Sequence, residues 1–74
     1  MRLTIKLHGV FRIGRGKEMP RDYPPGTTVR QVLDDLTIPD QLLGIVLING
    51  AHAGSDDLLH EGDVLSLLPF LDGG

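Results

Sequence analysis

Residues 2–7 alternate without a break. Leu3, Ile5 and Leu7 fall on one side and Arg2, Thr4 and Lys6 on the other, the period of a strand with one buried face. After His8 and Gly9, residues 10–13 offer a second apolar stretch that pairs back on the first. The Gly14-Arg15-Gly16-Lys17 segment reads as a turn, and residues 18–23 extend that second strand. Pro24-Pro25-Gly26 stops any strand. The period then changes: Val29, Val32, Leu33 and Leu36 recur at i, i+3, i+4 and i+7, a single apolar stripe, with Arg30, Gln31, Asp34 and Asp35 around it. Thr28 and Gln31 have the spacing of a capping box. Pro39 biases Ile38 away from helical geometry, so the helix is expected over residues 28–37 and ends near Leu36 or Thr37.

Residues 45–48, Ile-Val-Leu-Ile, form a continuous β-branched-rich run suited to a central strand, and Asn49-Gly50 is a hairpin turn signal. Leu58-Leu59 is a further apolar pair, Glu61-Gly62-Asp63 turns the chain, and residues 64–68 make the last strand. The order strand, strand, helix, strand, strand predicts an α+β fold, a sheet of four to five strands packed on one α-helix. Its expected core joins Ile5, Val29, Val32, Leu33, Leu36 and Leu47. A chain of 74 residues makes one small domain that buries about 60% of its unfolded surface.

Composition narrows the function. With no cysteine there is neither a disulfide framework nor a thiolate metal site, which suits a reducing compartment. The first residues lack the apolar core of a signal peptide, and no run approaches the ~20 apolar residues of a membrane span, so a cytoplasmic protein is expected. The net charge of -3 is unevenly distributed: all seven basic residues lie within the first thirty positions, and residues 31–74 hold eight acids and no Lys or Arg. Two readings stand. An acidic half disfavours nucleic acid and favours a basic partner protein; alternatively, folding interleaves the halves into a mixed surface.

Conventional chemistry finds little support. Gly14-Arg15-Gly16-Lys17 lacks the spacing of a phosphate loop and the Ser or Thr that should follow it. His8, His52 and His60 do not match a metal-ligand spacing, so no metal site is expected. Asp34-Asp35 and Asp56-Asp57 are paired by adjacency only, and adjacent side chains diverge on a helix. Ser55 and Ser66 have no evident activating base.

The end of the sequence is different. Leu67-Leu68-Pro69-Phe70-Leu71 runs directly into Asp72-Gly73-Gly74. The Gly-Thr-Thr-Val helix start, the Val46-Leu47-Ile48-Asn49-Gly50 strand and turn, the approach from Leu59 to Gly62-Asp63, and this Gly-Gly end together resemble the ubiquitin-like sulfur carriers of the MoaD/ThiS family. The likeness covers nearly the whole chain and is nearest in appearance to the small subunit of molybdopterin synthase.

The resemblance implies a ubiquitin-like β-grasp fold, with a domain over residues 1–68 and a flexible tail over residues 69–74. It implies a carrier and co-substrate, not an enzyme. In such carriers a ubiquitin-activating-type partner uses ATP to adenylate the terminal carboxylate, a sulfur donor converts it to a thiocarboxylate, and the sulfur passes to an acceptor synthase, here expected to be the molybdopterin synthase large subunit. By position Gly74 bears the sulfur. Gly73, Asp72 and Leu71 form the segment that enters the partner's channel, where the absence of Cβ on Gly73 and Gly74 eases passage. This chain is expected to bind no cofactor itself, with no nucleic acid or membrane partner. The six residues 69–74, extended, span about 20 Å. Pro69, lacking an amide donor, either ends sheet pairing and releases the tail or is an ordinary edge-strand proline. If Leu65 and Leu67 face the helix, Leu68 faces outward and forms with Pro69 and Phe70 an apolar partner-binding patch; a solitary exposed leucine would be unremarkable. A carrier for thiamine thiazole synthesis or another acceptor is the alternative, as is a ubiquitin-like interaction module or protein modifier. All the chemistry here requires Gly74 to carry a free carboxylate.

Overall fold

The computed structural model describes residues 1–70. The first strand, β1 (Arg2–Leu7), has the expected alternation, with Leu3, Ile5 and Leu7 fully buried. It pairs antiparallel with β2 (Glu18–Asp22). Residues 10–13 do not form the second strand. The segment Gly9–Arg12 is a short 3-10 helix whose one buried side chain is Phe11. A tight turn can drive a single aromatic ring into the core, whereas a strand here would have turned Val10 and Arg12 the other way.

The helix α1 (Val29–Asp35) begins as the capping box requires: the Thr28 hydroxyl accepts from the Gln31 amide at 3.3 Å, and the Gln31 side chain accepts from the Thr28 amide at 2.9 Å. Its far end closes by a means the sequence does not advertise. Thr37 takes a left-handed conformation (φ 59°), its amide donates to Asp34 O, and the Ile38 amide donates to Leu33 O at 3.0 Å. This is a Schellman closure with threonine where glycine is usual, supported by burial of Ile38 beside Leu33. The Arg15 guanidinium donates to Leu36 O and Phe11 O, tying the β1–β2 connection to the helix end.

After a 3-10 turn at Asp40–Leu42, β3 (Leu43–Ile48) leads through Asn49 and Gly50, both at positive φ, into the short β4 (Ala51–His52). The final strand, β5 (Val64–Pro69), is central: the order is β2-β1-β5-β3-β4, with β1 and β5 parallel and every other pair antiparallel. Five strands, one of them crossing back parallel to the first, over a single helix make the β-grasp arrangement that the resemblance implies.

The core between helix and sheet includes Leu3, Ile5, Leu7, Val29, Val32, Leu33, Leu36, Leu65 and Leu67. One expected member is corrected. Val46, at 7% exposure, faces the helix, and Leu47 does not belong to the core cluster. Pairing decides the face: Val46 lies opposite Leu67, a core residue, and Leu47 opposite Ser66 on the open side.

Asp63 pins the entry to β5. Its carboxylate accepts from Asn49 Nδ2 at 2.9 Å and from the His60 amide at 2.8 Å, while the Asn49 side-chain oxygen accepts from the Val64 amide at 2.9 Å. The hairpin tip and the last strand are thereby fixed to each other.

Candidate functional site at the end of the last strand

Because Leu65 and Leu67 point to the helix, Val64, Ser66 and Leu68 face the open side of the sheet, beside Thr4 and Lys6 on β1 and Ile45 and Leu47 on β3. At the end of β5, Leu68 pairs with Ile45 and Pro69 with Leu43, with a register shift that leaves Gly44 unmatched. This is a β-bulge, and it bends β3 where the chain is about to leave the sheet. Gly44, Ile45, Leu68, Pro69 and Phe70 line a shallow cavity of about 400 Å³. Phe70 is 66% exposed, and Leu68 and Pro69 are half-buried. The structure therefore brings the expected Leu68, Pro69 and Phe70 together on one apolar surface. The sites expected at Leu71, Asp72, Gly73 and Gly74 lie outside the described residues.

Pro69 does not end the pairing. It belongs to β5, and the Phe70 amide still donates to Leu42 O at 2.6 Å. The missing donor at the proline is followed at once by a hydrogen bond from the next residue to the 3-10 turn before β3, so the chain is held through Phe70.

Gly44 and Ile45 are members of this surface that the sequence reading missed. The apolar run was read from residue 45 as a plain central strand. A glycine opening such a run is the signal of a bulge or of close backbone approach, and it would have pointed to the site.

The electrostatics also differ from the simple acidic-half picture. Three arginines are matched to carboxylates: Arg2 with Asp22 at 2.6 Å, Arg21 with Asp35 at 3.3 Å and Arg30 with Asp40 at 2.7 Å. Two of these pairs join the basic first part of the chain to the acidic second, so the halves interleave. The hydrogen bond from Arg2 holds the Asp22 carboxyl below its ordinary range, although both groups are exposed and contribute little to stability. Among the described residues, Lys6, Arg12, Arg15 and Lys17 have no such ion-pair partner. All four lie on β1 or in the β1–β2 connection, which touches the end of β5 through the His8 amide to Leu67 O at 3.2 Å. Lys6 lies opposite Ser66 in the second half of β5, whereas Glu61 and Asp63 stand at the other end of that strand.

A second cavity, of about 350 Å³, lies at that other end, lined by Met1, Pro25, Gly26, Leu58, Leu59, His60 and Glu61. It lies at the opposite end of β5 from Leu68, Pro69 and Phe70, and the only titratable side chains among its described lining residues are those of the adjacent His60 and Glu61. Among the described residues, no group of three or more His, Asp or Glu side chains is placed to hold a metal ion, and no helix is long and apolar enough to cross a membrane.

The profile of the ThiS family matches residues 5–74. The chain belongs to the ThiS family. Solved structures place this ThiS-family chain among ubiquitin-like β-grasp proteins. It is similar to SAMP1, the small archaeal modifier protein 1 of Haloferax volcanii, at 24% identity over all of both chains, with a TM-score of 0.80. It is similar to a Pyrococcus furiosus protein provisionally designated molybdopterin converting factor, subunit 1, at 20% identity over 93% of this chain and 97% of that one, with a TM-score of 0.79. A chain in the complex of subunits 1 and 2 of the molybdopterin-converting factor from Helicobacter pylori 26695 matches at 17% identity over all of both chains, with a TM-score of 0.68. At these identities the likeness is one of fold. No curated protein matches the sequence.

Proposed function

We propose that this ThiS-family protein carries sulfur on the carboxyl group of Gly74 for molybdopterin biosynthesis, in the cytoplasm. The observation that carries the reading is the extent of the family match, which runs through Gly73 and Gly74, together with the apolar surface of Leu68, Pro69 and Phe70 at the root of that segment. The molybdopterin acceptor is favoured by the two structural neighbours whose names refer to a molybdopterin converting factor, and by Pro69 shortly before the Gly-Gly end.

A terminal carboxyl has a reference pKa of about 3.3 to 3.7, so near neutral pH it is an anion and a poor electrophile. A ubiquitin-activating-type partner transfers AMP from ATP to that carboxylate and releases pyrophosphate. A sulfur donor then displaces AMP and leaves the thiocarboxylate, which a synthase large subunit consumes. The partner supplies the metal, the phosphate-binding groups and the transition-state electrostatics. This chain supplies the acyl group, a docking surface at Leu68, Pro69 and Phe70, and a lead of Leu71, Asp72 and Gly73 into the partner's channel. Because the chain is held through Phe70, the lead is the last four residues, at most about 14 Å.

The test is direct. Incubated with a cognate activating enzyme, ATP and a sulfur donor, the chain ending at Gly74 gains the mass difference of one sulfur over one oxygen, and fragmentation maps it to the last residue. Deleting Gly74 or appending one residue after it abolishes the change and leaves thermal unfolding unaltered. Charging of the extended chain would overturn the reading. Linkage to lysines of other proteins would put the modifier function in its place, the reading favoured by the likeness to SAMP1.

A further inference from the structure

We propose that Gly9 and Gly44 form a clamp on Pro69 and Phe70 that fixes where the C-terminal segment leaves the sheet, making both glycines positioning residues for the activation of Gly74. The geometric half of this inference rests on the structure alone; the functional half rests on the sulfur-carrier reading.

Of the eight described glycines, six have nothing within 4 Å of the place a Cβ would occupy, and the two that do both meet the root of the tail. A Cβ on Gly44 would stand 2.7 Å from Phe70 Cα, 2.8 Å from Pro69 O and 2.9 Å from Phe70 N. These are backbone atoms, which cannot swing aside as a side chain does. Gly44 is not among the residues with positive φ, so what requires glycine there is proximity and not backbone conformation. On the other side, a Cβ on Gly9 would stand 2.9 Å from Pro69 Cγ, and Gly9 is additionally at φ +57°.

The two glycines come from separate elements, the bulge of β3 and the 3-10 turn after β1, and meet at Pro69, with Gly44 reaching on to Phe70. The hydrogen bond from the Phe70 amide to Leu42 O completes the grip. The Phe70 side chain is largely exposed, so the backbone and not the ring anchors this residue. A root held this way fixes the starting point and direction of the segment that must enter a partner's site. Fewer orientations then need to be lost on docking, and small displacements at such a point are costly to a reaction that depends on alignment.

The experiment compares amide hydrogen exchange and charging in the full chain. In Gly44→Ala, exchange of the Phe70 amide should accelerate about tenfold or more while amides in the middle of β3 and β5 keep their protection. Gly54→Ala, at a glycine with open space around it, should change neither. With the activating enzyme, Gly44→Ala should lower kcat about tenfold with a smaller change in KM, because Leu68 and Ile45 keep their places on the docking surface. If Gly44→Ala does not fold, the cycle of Gly9→Ala, Pro69→Ala and the double variant decides. Alanine at 69 removes the Cγ that the new Cβ would meet, so it should restore part of the Phe70 protection lost in Gly9→Ala, and purely additive effects would overturn the clamp. Unchanged Phe70 protection in a folded Gly44→Ala also overturns the clamp. Lost protection with unaltered charging overturns the positioning role. A wild-type chain that is not charged at all removes the sulfur-carrier reading and the functional half with it, while the exchange data still judge the clamp.

Discussion

Leu33→Ala tests whether helix and sheet close on one sealed core. Leu33 has no exposed surface, lies on the face of α1 against the sheet, and accepts through its carbonyl the hydrogen bond that ends the helix. Removing most of its side chain loses the transfer free energy of those carbons and leaves a cavity in a core whose other members, Ile5, Val32 and Leu65 among them, are themselves fully buried. The expected cost is about 2 to 5 kcal/mol. A domain of 74 residues has roughly 4 to 11 kcal/mol in total, so the variant sits near the limit of folding. At roughly 4 to 8 °C per kcal/mol, a loss of about 3 kcal/mol lowers Tm by roughly 12 to 24 °C. Urea unfolding followed by far-ultraviolet circular dichroism measures it, since there is no tryptophan to report by fluorescence. Leu58→Ala, at a side chain 54% exposed, is the control and should cost well under half as much. A loss below about 1 kcal/mol for Leu33→Ala, with the urea slope unchanged, would refute the burial of this helix face.

Two further perturbations probe the surface. Tyr23 is the sole tyrosine, and burial, then its 2.8 Å hydrogen bond to Asp35, push its hydroxyl up to about 12. The stability this provides is fully present below the unfolded value of about 10 and is lost as pH rises toward about 12. An absorbance titration of tyrosinate in protein that keeps its native circular dichroism should show the raised midpoint, and one centred on the unfolded value would refute it. Phe70→Asp, and with some loss of stability Leu68→Asp, should weaken binding to the activating enzyme or the synthase by about tenfold or more in calorimetry while leaving the fold intact. Unfolding of Phe70→Asp, or native affinity in the folded variant, would remove these residues from the docking surface.

The elements that could be read in the sequence were those with an unambiguous period. The alternation over β1 and the stripe over α1 each permit a single face, and the pairing of Thr28 with Gln31 marks the helix start by its own chemistry. The unbroken apolar run over residues 45–48 of β3 has no period, so nothing local chooses between Val46 and Leu47; a strand far along the chain does so by its register. Phe11 was equally ambiguous, because a short stretch between two glycines, Gly9 and Gly14, suits a strand or a tight turn until its neighbours are known. The helix end was placed by Pro39 but built by Thr37, a residue that gives no sign of a left-handed conformation. At the candidate site the apolar end of the last strand was legible. Its grip on the rest of the molecule was not, because it depends on the absence of side chains at Gly9 and Gly44, and an absence acquires meaning only when something lies opposite it.

The position of β5 has a consequence for how the molecule is made. The strand that enters the sheet between β1 and β3 is the last of the five to be translated, and Thr4 must wait for Val64 before it has its parallel neighbour. Until then β1 and β3 are separate edges with no common sheet, and pairing across so long a stretch of chain is slow to form. A product of premature termination before residue 64 therefore exposes apolar edges and is open to proteolysis. The sheet inspects its own synthesis: any molecule that has closed it has already been translated through β5.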